Sequence, residues 1–224
     1  MLDKEKKIEE FVLFLDNHLL VLNKPARLLV QGDRTGDASL FSIAKEFIKK
    51  KFNKPGNVYL GIVHRLDRPA SGVVVFARTS KSAARLNKQF RNGKRKKKYL
   101  VLVEGKTPLR GKMSDKIVRQ NETSVISKTE GKEALLYYKR INCSKNISLV
   151  SVELITGRHH QIRLQFAHRG HPVIGDMRYG STKKLVKKTL ALHAHNLKII
   201  HPTRKEKISF TAPLPEYWPK EFNL

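Results

Sequence analysis

Residues 64–77 read HRLDRPASGVVVFA, a polar segment that runs directly into an apolar one. The apolar part, residues 73–77, has the length and the β-branched content of a buried strand. Pro69 and Gly72 stand just before it, and these two residue types are typical of tight turns with a fixed backbone. The sequence therefore predicts a buried strand that begins at Val73 and a rigid loop in front of it.

Asp67 lies in this loop between Arg65 and Arg68, in a chain with 46 lysines and arginines but only 19 aspartates and glutamates. One interpretation is a turn residue held by salt bridges. The other is a rigid carboxylate that neighbouring guanidinium groups keep ionised, so that it can act as a nucleophile or a base on a bound sugar or base. The spacing of the residues leaves both interpretations open.

Short apolar runs elsewhere predict further strands. Asp16-Asn17 separates two of them and indicates a turn. The polar stretch at residues 106–133 predicts a long hairpin or a mobile insertion. The predicted strands are residues 11–15, 18–22, 73–77, 99–103, 149–155, 192–200 and 207–211, and the last two can pair across a short turn.

Three helices are predicted. Ser39 precedes an apolar stripe with helical spacing, and Ser80 opens a second amphipathic helix that extends to about Phe90. A third helix after Thr156-Gly157 is expected to stop at Gly170, which suits a left-handed cap. Because strands and helices do not alternate regularly, we predict an α+β fold with a mixed, largely antiparallel central sheet and flanking helices.

The charge of the chain indicates its class of partner. The 224 residues are 40% hydrophobic, which suits a single domain over residues 1–224, and the formal net charge is +27. An excess of this size opposes folding through self-repulsion, so it indicates a polyanionic partner. Nucleic acid is the first candidate and an anionic membrane surface the second. No segment reads as a basic amphipathic helix with an aromatic face, so we predict no membrane partner.

Cysteine usage and the start of the chain indicate the compartment. Cys143 is the single cysteine, so neither a disulfide framework nor a thiolate metal cluster is expected. The start is charged, and the run FVLFL at residues 11–15 is too short for a signal core. No apolar run reaches the ~20 residues of a membrane-spanning helix. We therefore predict a cytoplasmic protein.

A run of basic residues, KRKKK at 94–98, ends in Tyr99. Such a run is ordinarily a solvated loop. Here it belongs to a strongly basic chain, and the tyrosine can stack on a base, so contact with nucleic-acid phosphates is favoured. The residues concerned are Lys94, Arg95, Lys96, Lys97 and Lys98.

The segment TGRHHQIR at residues 156–163 places two arginines, two histidines and a glutamine at the predicted start of a helix. Backbone amides and the helix dipole favour an anion at such a position. An ordinary surface helix end is the alternative. A polyanionic partner favours the binding of a phosphate or a carboxylate.

The histidines raise the question of a metal site. His193 and His195 alternate on a predicted strand and therefore share one face. Together with other histidines they could bind a metal. No carboxylate pair and no His-Glu-x-x-His spacing supports this, so we predict no metal.

Five blocks of the chain, taken in order, resemble the RNA pseudouridine synthases of the RluA type. Ala70 stands where that family commonly has threonine. Five ordered blocks are much more specific than any single one. They are NHLLVLNKP at residues 17–25, HRLDRPASG at 64–72, KYL at 98–100, TGRHHQIR with GHPVIGD at 156–163 and 170–176, and LHA at 192–194.

The resemblance implies the pseudouridine synthase fold with a catalytic cleft, and conversion of uridine to pseudouridine in structured RNA. Ribosomal and transfer RNA both stay open as substrates, and the strong positive charge favours ribosomal RNA. It implies that Asp67 is the catalyst, that Tyr99 packs on the target base and that Arg163 pairs with Asp67. Leu192 would form an apolar wall, and Arg65 would fill the gap left by an extruded nucleotide. Further RNA contacts are expected from His64, Arg68, Arg158, His160 and residues 94–98.

The implied reaction is an internal rearrangement, so no cofactor is expected. The first motif begins near residue 16, which leaves no room for the accessory N-terminal RNA-binding domain of many relatives. Target selection would then fall on the catalytic domain, which we expect to act as a monomer.

Two other classes of function are weighed against this one. A non-catalytic basic RNA-binding or ribosome assembly factor of the same fold would have a broken site, whereas Asp67, Tyr99 and Arg163 are all present. A glycosidase or deaminase would need a second carboxylate or a zinc signature, and neither lies near the motif.

Overall fold

The computed structural model describes residues 8–32 and 36–222. The prediction about a charged start falls partly on residues 1–7, outside the described residues. The chain divides into two compact units. The first contains the residues up to Arg95 together with Asn196–Pro213, and the second contains Lys96–His195 together with the residues from Leu214 onward. A single catalytic domain over residues 1–224 stays a prediction.

The described residues form strands, α-helices and short 3-10 helices. The strands are β1 (Val12–Leu15), β2 (Leu19–Lys24), β3 (Gly61–Ile62), β4 (Ser71–Ala77), β5 (Lys96–Glu104), β6 (Arg110–Gln120), β7 (Thr123–Ser127), β8 (Lys132–Ser144), β9 (Ile147–Leu154), β10 (Leu192–Ile200) and β11 (Lys207–Thr211). The α-helices are α1 (Leu40–Lys51), α2 (Ser80–Arg91) and α3 (Gln161–His168). The 3-10 helices are Ile8–Phe11, Met177–Tyr179, Val186–Lys188 and Lys220–Phe222.

The first unit is built around β4. This strand pairs antiparallel with β2 and β3, β2 pairs with β1, and β10 pairs with β11. All seven residues of β4 are buried. Because side chains alternate along a strand, Val73 and Val75 enter one apolar cluster with α2, whereas Val74 and Phe76 enter another with α1. Burial on both faces explains the uninterrupted apolar run.

Local capping fixes the starts of α1 and α2. The Ser39 side chain accepts a hydrogen bond from the Ser42 backbone, and the Ser42 side chain accepts one from the Ser39 backbone. This capping box is worth about 1 kcal/mol. The helix α2 begins at Ser80, as predicted, and its cap is Thr79, whose hydroxyl accepts the N–H of Ser82.

The second unit contains an antiparallel run of strands in the order β5-β9-β8-β6-β7. Residues 106–133, predicted to form a long hairpin or a mobile insertion, contain the antiparallel strands β6 and β7. Gln120 pairs with Thr123 across the turn, where Asn121 adopts a left-handed backbone with φ 51°. A two-residue turn of this kind suits asparagine and matches the twist of the strands.

The helix α3 covers one face of these strands. Phe166 on α3 lies edge-on to Tyr138 on β8, with ring centroids 5.3 Å apart, and Leu164 packs against Ile117 and Ala134. The helix ends at His168, and Gly170 follows with φ 76°, which confirms the predicted left-handed glycine. The prediction of a mixed α+β fold with a largely antiparallel sheet is confirmed. No helix of the described residues is long and apolar enough to cross a membrane.

Candidate active site

The loop that carries Asp67 connects β3 to β4 in the first unit. The Ala70 N–H donates to the Asp67 carbonyl over 3.1 Å and closes a tight turn. Gly72 follows with φ 112°, a conformation that residues with a Cβ rarely adopt. Asp67 itself is half-buried, so its side chain is held near the surface and can be reached from solvent. A tight turn that carries a half-buried aspartate therefore stands in front of β4.

Lys24, the last residue of β2, lies completely buried beside this loop. Its ammonium donates to the carbonyls of Pro25 at 2.9 Å, Leu28 at 2.7 Å and Arg68 at 3.1 Å. Burial lowers the pKa of Lys24 to about 7, while the charge of Asp67 acts to raise it and that of Arg68 to lower it further. A buried amine thus fixes the backbone next to Asp67.

The neighbours of Asp67 differ in what they contact. His64 accepts the N–H of Val75 at 3.0 Å, and its ring stacks on Phe90 with centroids 4.9 Å apart, so it belongs to the packing of the first unit. Arg65 is exposed and lines a shallow depression of about 450 Å³. Arg68 forms an exposed ion pair with Asp37 at 2.6 Å.

The second unit positions Tyr99 on β5. Tyr99 lies opposite Val152 on β9, and Val152 lies opposite Tyr138 on β8. This row of side chains faces α3, because Tyr138 contacts Phe166 of that helix. Tyr99 is only 7% exposed, and Leu192 at the start of β10 is also buried. Both belong to the second unit.

Arg163 on α3 is held by a buried carboxylate. Its Nε donates to Asp176 Oδ2 at 2.6 Å, and its Nη2 donates to Oδ1 at 2.8 Å. The guanidinium carbon also lies 5.1 Å from the ring centroid of Tyr179. Such a bidentate pair fixes both the position and the plane of the guanidinium group.

The segment before α3 is a loop rather than the first turn of a helix. The helix begins at Gln161, so the expectation that Arg158 and His160 stand within a helix start is wrong. His160 precedes the helix in a left-handed backbone with φ 54° and lies 2.9 Å from the Tyr179 hydroxyl. Arg158 donates through Nε to the Glu133 carbonyl at 2.8 Å. The side chain of Gln161 accepts hydrogen bonds from the Thr156 hydroxyl and from the Arg158 N–H. These bonds hold residues 156–158 in a loop in front of the helix.

Part of the basic run lies in a strand and not in a loop. Lys94 and Arg95 lie before β5, but Lys96, Lys97 and Lys98 are its first residues. Lys98 and Tyr99 therefore point to opposite faces of the strand. Lys98 lies opposite Glu153 in the pairing with β9, so the last residue of the run is part of the sheet.

The structure gathers the predicted residues into two groups, one in each unit. His64, Arg65, Asp67 and Arg68 share one loop of the first unit. The second unit holds Arg158, His160 and Arg163 at the beginning of α3, with Tyr99 and Leu192 on its strands. The proximity of Asp67 to Arg163 and Tyr99 stays a prediction.

Three residues with clear positioning contacts carry no role in the sequence-based prediction: Lys24, Asp176 and Tyr179. Lys24 and Asp176 lie within the quoted motif blocks. The sequence offered two signals for these residues: Lys24 stands two positions after the apolar residues 19–22, and Asp176 is a carboxylate in a chain that has few. Within the described residues, no group of three or more histidine, cysteine or acidic side chains is arranged to hold a metal ion.

Comparison with known proteins identifies the family. The profile of the RNA pseudouridylate synthase family matches residues 18–168. The chain is 35% identical to the ribosomal large subunit pseudouridine synthase C of Buchnera aphidicola subsp. Schizaphis graminum, over 98% of the chain and 72% of that protein. It is 30% identical to the tRNA pseudouridine synthase C of Haemophilus ducreyi, over 95% of the chain and 94% of that protein.

A solved structure shares the fold. The human RNA pseudouridylate synthase domain containing 4 superposes with a TM-score of 0.79, covering 94% of this chain and 90% of that one, at 23% identity. The match in sequence and fold extends over nearly the whole chain, and it includes every block on which the sequence-based prediction depended. The chain belongs to the RNA pseudouridylate synthase family and is an RNA pseudouridine synthase, an isomerase.

Proposed function

We propose that this enzyme converts uridine to pseudouridine in structured RNA with Asp67 as its catalytic carboxylate. The observation that supports this most directly is the Asp67 loop. A half-buried carboxylate stands in a closed turn, and Lys24 holds the adjacent Arg68 carbonyl. Such a carboxylate reaches solvent while its backbone cannot move far.

The reaction is an isomerisation in which atoms balance without a cofactor. The bond from C1′ to N1 breaks, the uracil turns within the site, and C5 forms the new bond to C1′. The C5 proton is lost and N1 carries a proton in the product. Asp67 would serve either by attacking C1′ or by removing a proton from the sugar, and both roles need an ionised carboxylate at the ribose.

The target nucleotide must leave the helix before its ribose can meet Asp67. Extrusion of a stacked base costs about a few kcal/mol. Arg65, exposed beside Asp67, would occupy the gap left in the RNA. Tyr99 would pack on the uracil and assist removal of the C5 proton, Leu192 would supply an apolar wall, and Arg163 would pair with Asp67.

The pairing role of Arg163 is supported by how it is held. Asp176 engages two of the three guanidinium nitrogens, so the orientation of the group is set inside the second unit. A fixed guanidinium loses little conformational freedom when it meets a second carboxylate. It would direct the Asp67 carboxylate towards the ribose.

Ribosomal RNA is the substrate that we favour over transfer RNA. The relative with 35% identity is named for the ribosomal large subunit, and the relative named for tRNA is 30% identical. The net charge of +27 suits a highly structured, extended polyanion. We also propose that the enzyme acts as a monomer, because one chain carries every residue assigned to the reaction. The compartment that we propose is the cytoplasm.

The proposal is tested by Asp67→Asn, which keeps the shape of the side chain and removes its charge. Cells that lack the gene are complemented with wild type, with Asp67→Asn or with Glu46→Gln, a matched change of an exposed carboxylate on α1. Pseudouridines are then mapped across total RNA. We expect Glu46→Gln to restore the missing pseudouridines and Asp67→Asn to restore none. The RNA affinity of purified Asp67→Asn should stay within a few-fold of wild type.

Modification by Asp67→Asn at the wild-type level would remove Asp67 from the mechanism. Sites confined to transfer RNA would overturn the preference for ribosomal RNA and leave the role of Asp67 intact.

A further inference from the structure

The strands of the second unit have a second face, opposite the one covered by α3. Side chains alternate across a strand, so Lys98 on β5 points away from Tyr99. The register continues this row through Glu153 on β9 to Tyr137 on β8 and Lys112 on β6. The next row places Ser151, Lys139 and Arg110 side by side.

This face is covered at one end and open at the other. Around Leu100, Leu102 and Leu149, it is covered by Trp218 and Phe222 from the end of the chain. Towards Lys98 it is open, and Tyr137 is 43% exposed with Leu109 next to it at 55%. We call the open part the Tyr137 face, formed by Lys98, Leu109, Arg110, Lys112, Tyr137 and Lys139.

The Tyr137 face is concave and basic. A groove of about 640 Å³ is lined by Lys98, Leu109, Arg110, Tyr137 and Lys139, together with Glu153 and other residues. Lys112 adds a further cation opposite Tyr137. The exposed ring of Tyr137 is thus surrounded by four cationic side chains and one carboxylate, that of Glu153. The cations are Lys98, Arg110, Lys112 and Lys139. A single exposed aromatic residue is common on protein surfaces, but this combination of ring, groove and cations has a recognisable use.

Proteins that bind unpaired nucleic acid combine a basic groove for the phosphates with aromatic side chains on which bases stack. In a duplex the base faces are covered by their neighbours, so only an unpaired segment can present one to a ring. We propose that the Tyr137 face binds an unpaired segment of the substrate RNA, with a base on Tyr137 and phosphates on Arg110, Lys112 and Lys139. This proposal rests on the proposed function only in taking RNA as the substrate.

The stacking part is tested by Tyr137→Ala, with Tyr137→Phe as the matched variant that keeps the ring. Binding is measured by fluorescence anisotropy with a labelled 12-nucleotide oligouridine and with a labelled 12-base-pair RNA duplex. We expect Tyr137→Ala to weaken single-strand binding roughly tenfold. The single-strand affinity of Tyr137→Phe should stay within about twofold of wild type, because phenylalanine keeps the ring on which a base stacks. The duplex affinity of both variants should not change, because a duplex presents no base to the ring.

The phosphate part is tested with Arg110→Gln, Lys112→Gln and Lys139→Gln combined. The matched control neutralises Lys49, Lys50 and Lys54, three exposed lysines of the first unit. For a single strand, removing one cation that binds a phosphate reduces the salt slope of log K by about 0.7. The triple variant should therefore lower the slope by about 2, whereas the control should leave it near the wild-type value.

A measurement on the wild-type protein keeps the proposal testable if a variant fails to fold. A 4-thiouridine oligonucleotide is cross-linked by light and the adduct is mapped by mass spectrometry, with an adduct expected in the peptide that contains Tyr137. The proposal fails if Tyr137→Ala binds like wild type, if single strand and duplex weaken equally, or if no adduct maps to β8. Any of these results leaves the Asp67→Asn experiment unaffected, so the two proposals fail separately.

Discussion

Lys24 shows how one buried residue shapes the loop of the proposed catalyst. An ammonium group has three N–H donors, and the carbonyls of Pro25, Leu28 and Arg68 provide three acceptors. Burial nevertheless disfavours the charge and lowers the pKa of Lys24 to about 7. The folded protein therefore releases this proton well before an exposed lysine of the unfolded chain does.

This difference predicts a stability change with pH. Between pH 7 and 10 the unfolded chain still binds the Lys24 proton that the folded state has released, so the free energy of unfolding gains a term that rises with pH. The full gain is on the order of 5 kcal/mol, because the pKa of Lys24 falls from 10.5 to about 7 and each pH unit corresponds to about 1.4 kcal/mol. Lys24→Met, which cannot titrate, should lack this rise and should be less stable throughout. Urea unfolding at several pH values measures both.

Lys50→Met on the exposed face of α1 is the control, and its stability should follow the wild-type curve over the same pH range. If Lys24→Met and wild type give parallel curves, then Lys24 does not titrate in this interval and its charge is not suppressed by burial.

At the scale of elements, the Tyr179 hydroxyl is one of the groups that join the β6–β7 hairpin to the loop before α3. Tyr179 accepts the N–H of Ser124 on β7 at 2.9 Å and lies 2.9 Å from His160 Nδ1. His159 contacts the Ser124 hydroxyl at 3.0 Å. The ring of Tyr179 meanwhile packs against the guanidinium group of Arg163. One side chain thus joins a hairpin, a loop and a proposed catalytic residue.

Removing only this hydroxyl separates its role from that of the ring. Tyr179→Phe leaves the buried Ser124 N–H without that acceptor, so we expect a loss of about 1–3 kcal/mol in the free energy of unfolding. Turnover should remain close to wild type, because the ring beneath Arg163 is kept. The measurements are denaturant unfolding and single-turnover pseudouridine formation.

Tyr137→Phe is the matched control, since the Tyr137 side chain is exposed and its hydroxyl contributes little to stability. A change of less than about 0.5 kcal/mol, the range of exposed substitutions, is expected for it. Equal effects of the two variants would show that the Tyr179 hydroxyl does not hold the hairpin.

The strand β5 shows how tertiary pairing changes the meaning of a charge run. Taken alone, KRKKK favours a solvated loop. The strand nevertheless begins at Lys96, and its ladder with β9 begins at Lys98, which lies opposite Glu153. Since alternate residues face opposite ways, the run cannot present all its cations to one RNA surface.

At the scale of the whole molecule, the charge of +27 is the dominant electrostatic feature. Cations near RNA phosphates release bound counterions, so affinity should fall steeply as salt is added. Affinity of this kind is insensitive to sequence, whereas recognition of the target depends on the site itself.

Neutralising Lys94 and Lys96 tests the contribution of the basic run. Both side chains are exposed, and the double change to glutamine should weaken binding and lower the salt slope of log K by about 1.5. Changing Lys49 and Lys50 to glutamine removes the same charge from α1 and should leave the slope near that of wild type. Filter binding of a structured RNA at several salt concentrations measures it. Identical slopes for both double variants would remove the run from the interface.

The sequence by itself determined the features that depend on a few neighbouring residues. The apolar run at 73–77, the capping serine at position 39 and the glycine at position 170 predicted β4, the start of α1 and the end of α3, because spacing, caps and backbone freedom act locally. The total charge indicated nucleic acid, since it needs no geometry. Five ordered motif blocks predicted the family.

Only the tertiary structure decided which distant groups meet. The contacts of Lys24 with Arg68, of Arg163 with Asp176 and of Ser124 with Tyr179 join residues 44, 13 and 55 positions apart. The start of α3 at Gln161 and the open Tyr137 face depend on such partners too. No local pattern encodes them, because hydrogen bonds and burial are settled when separate segments pack together.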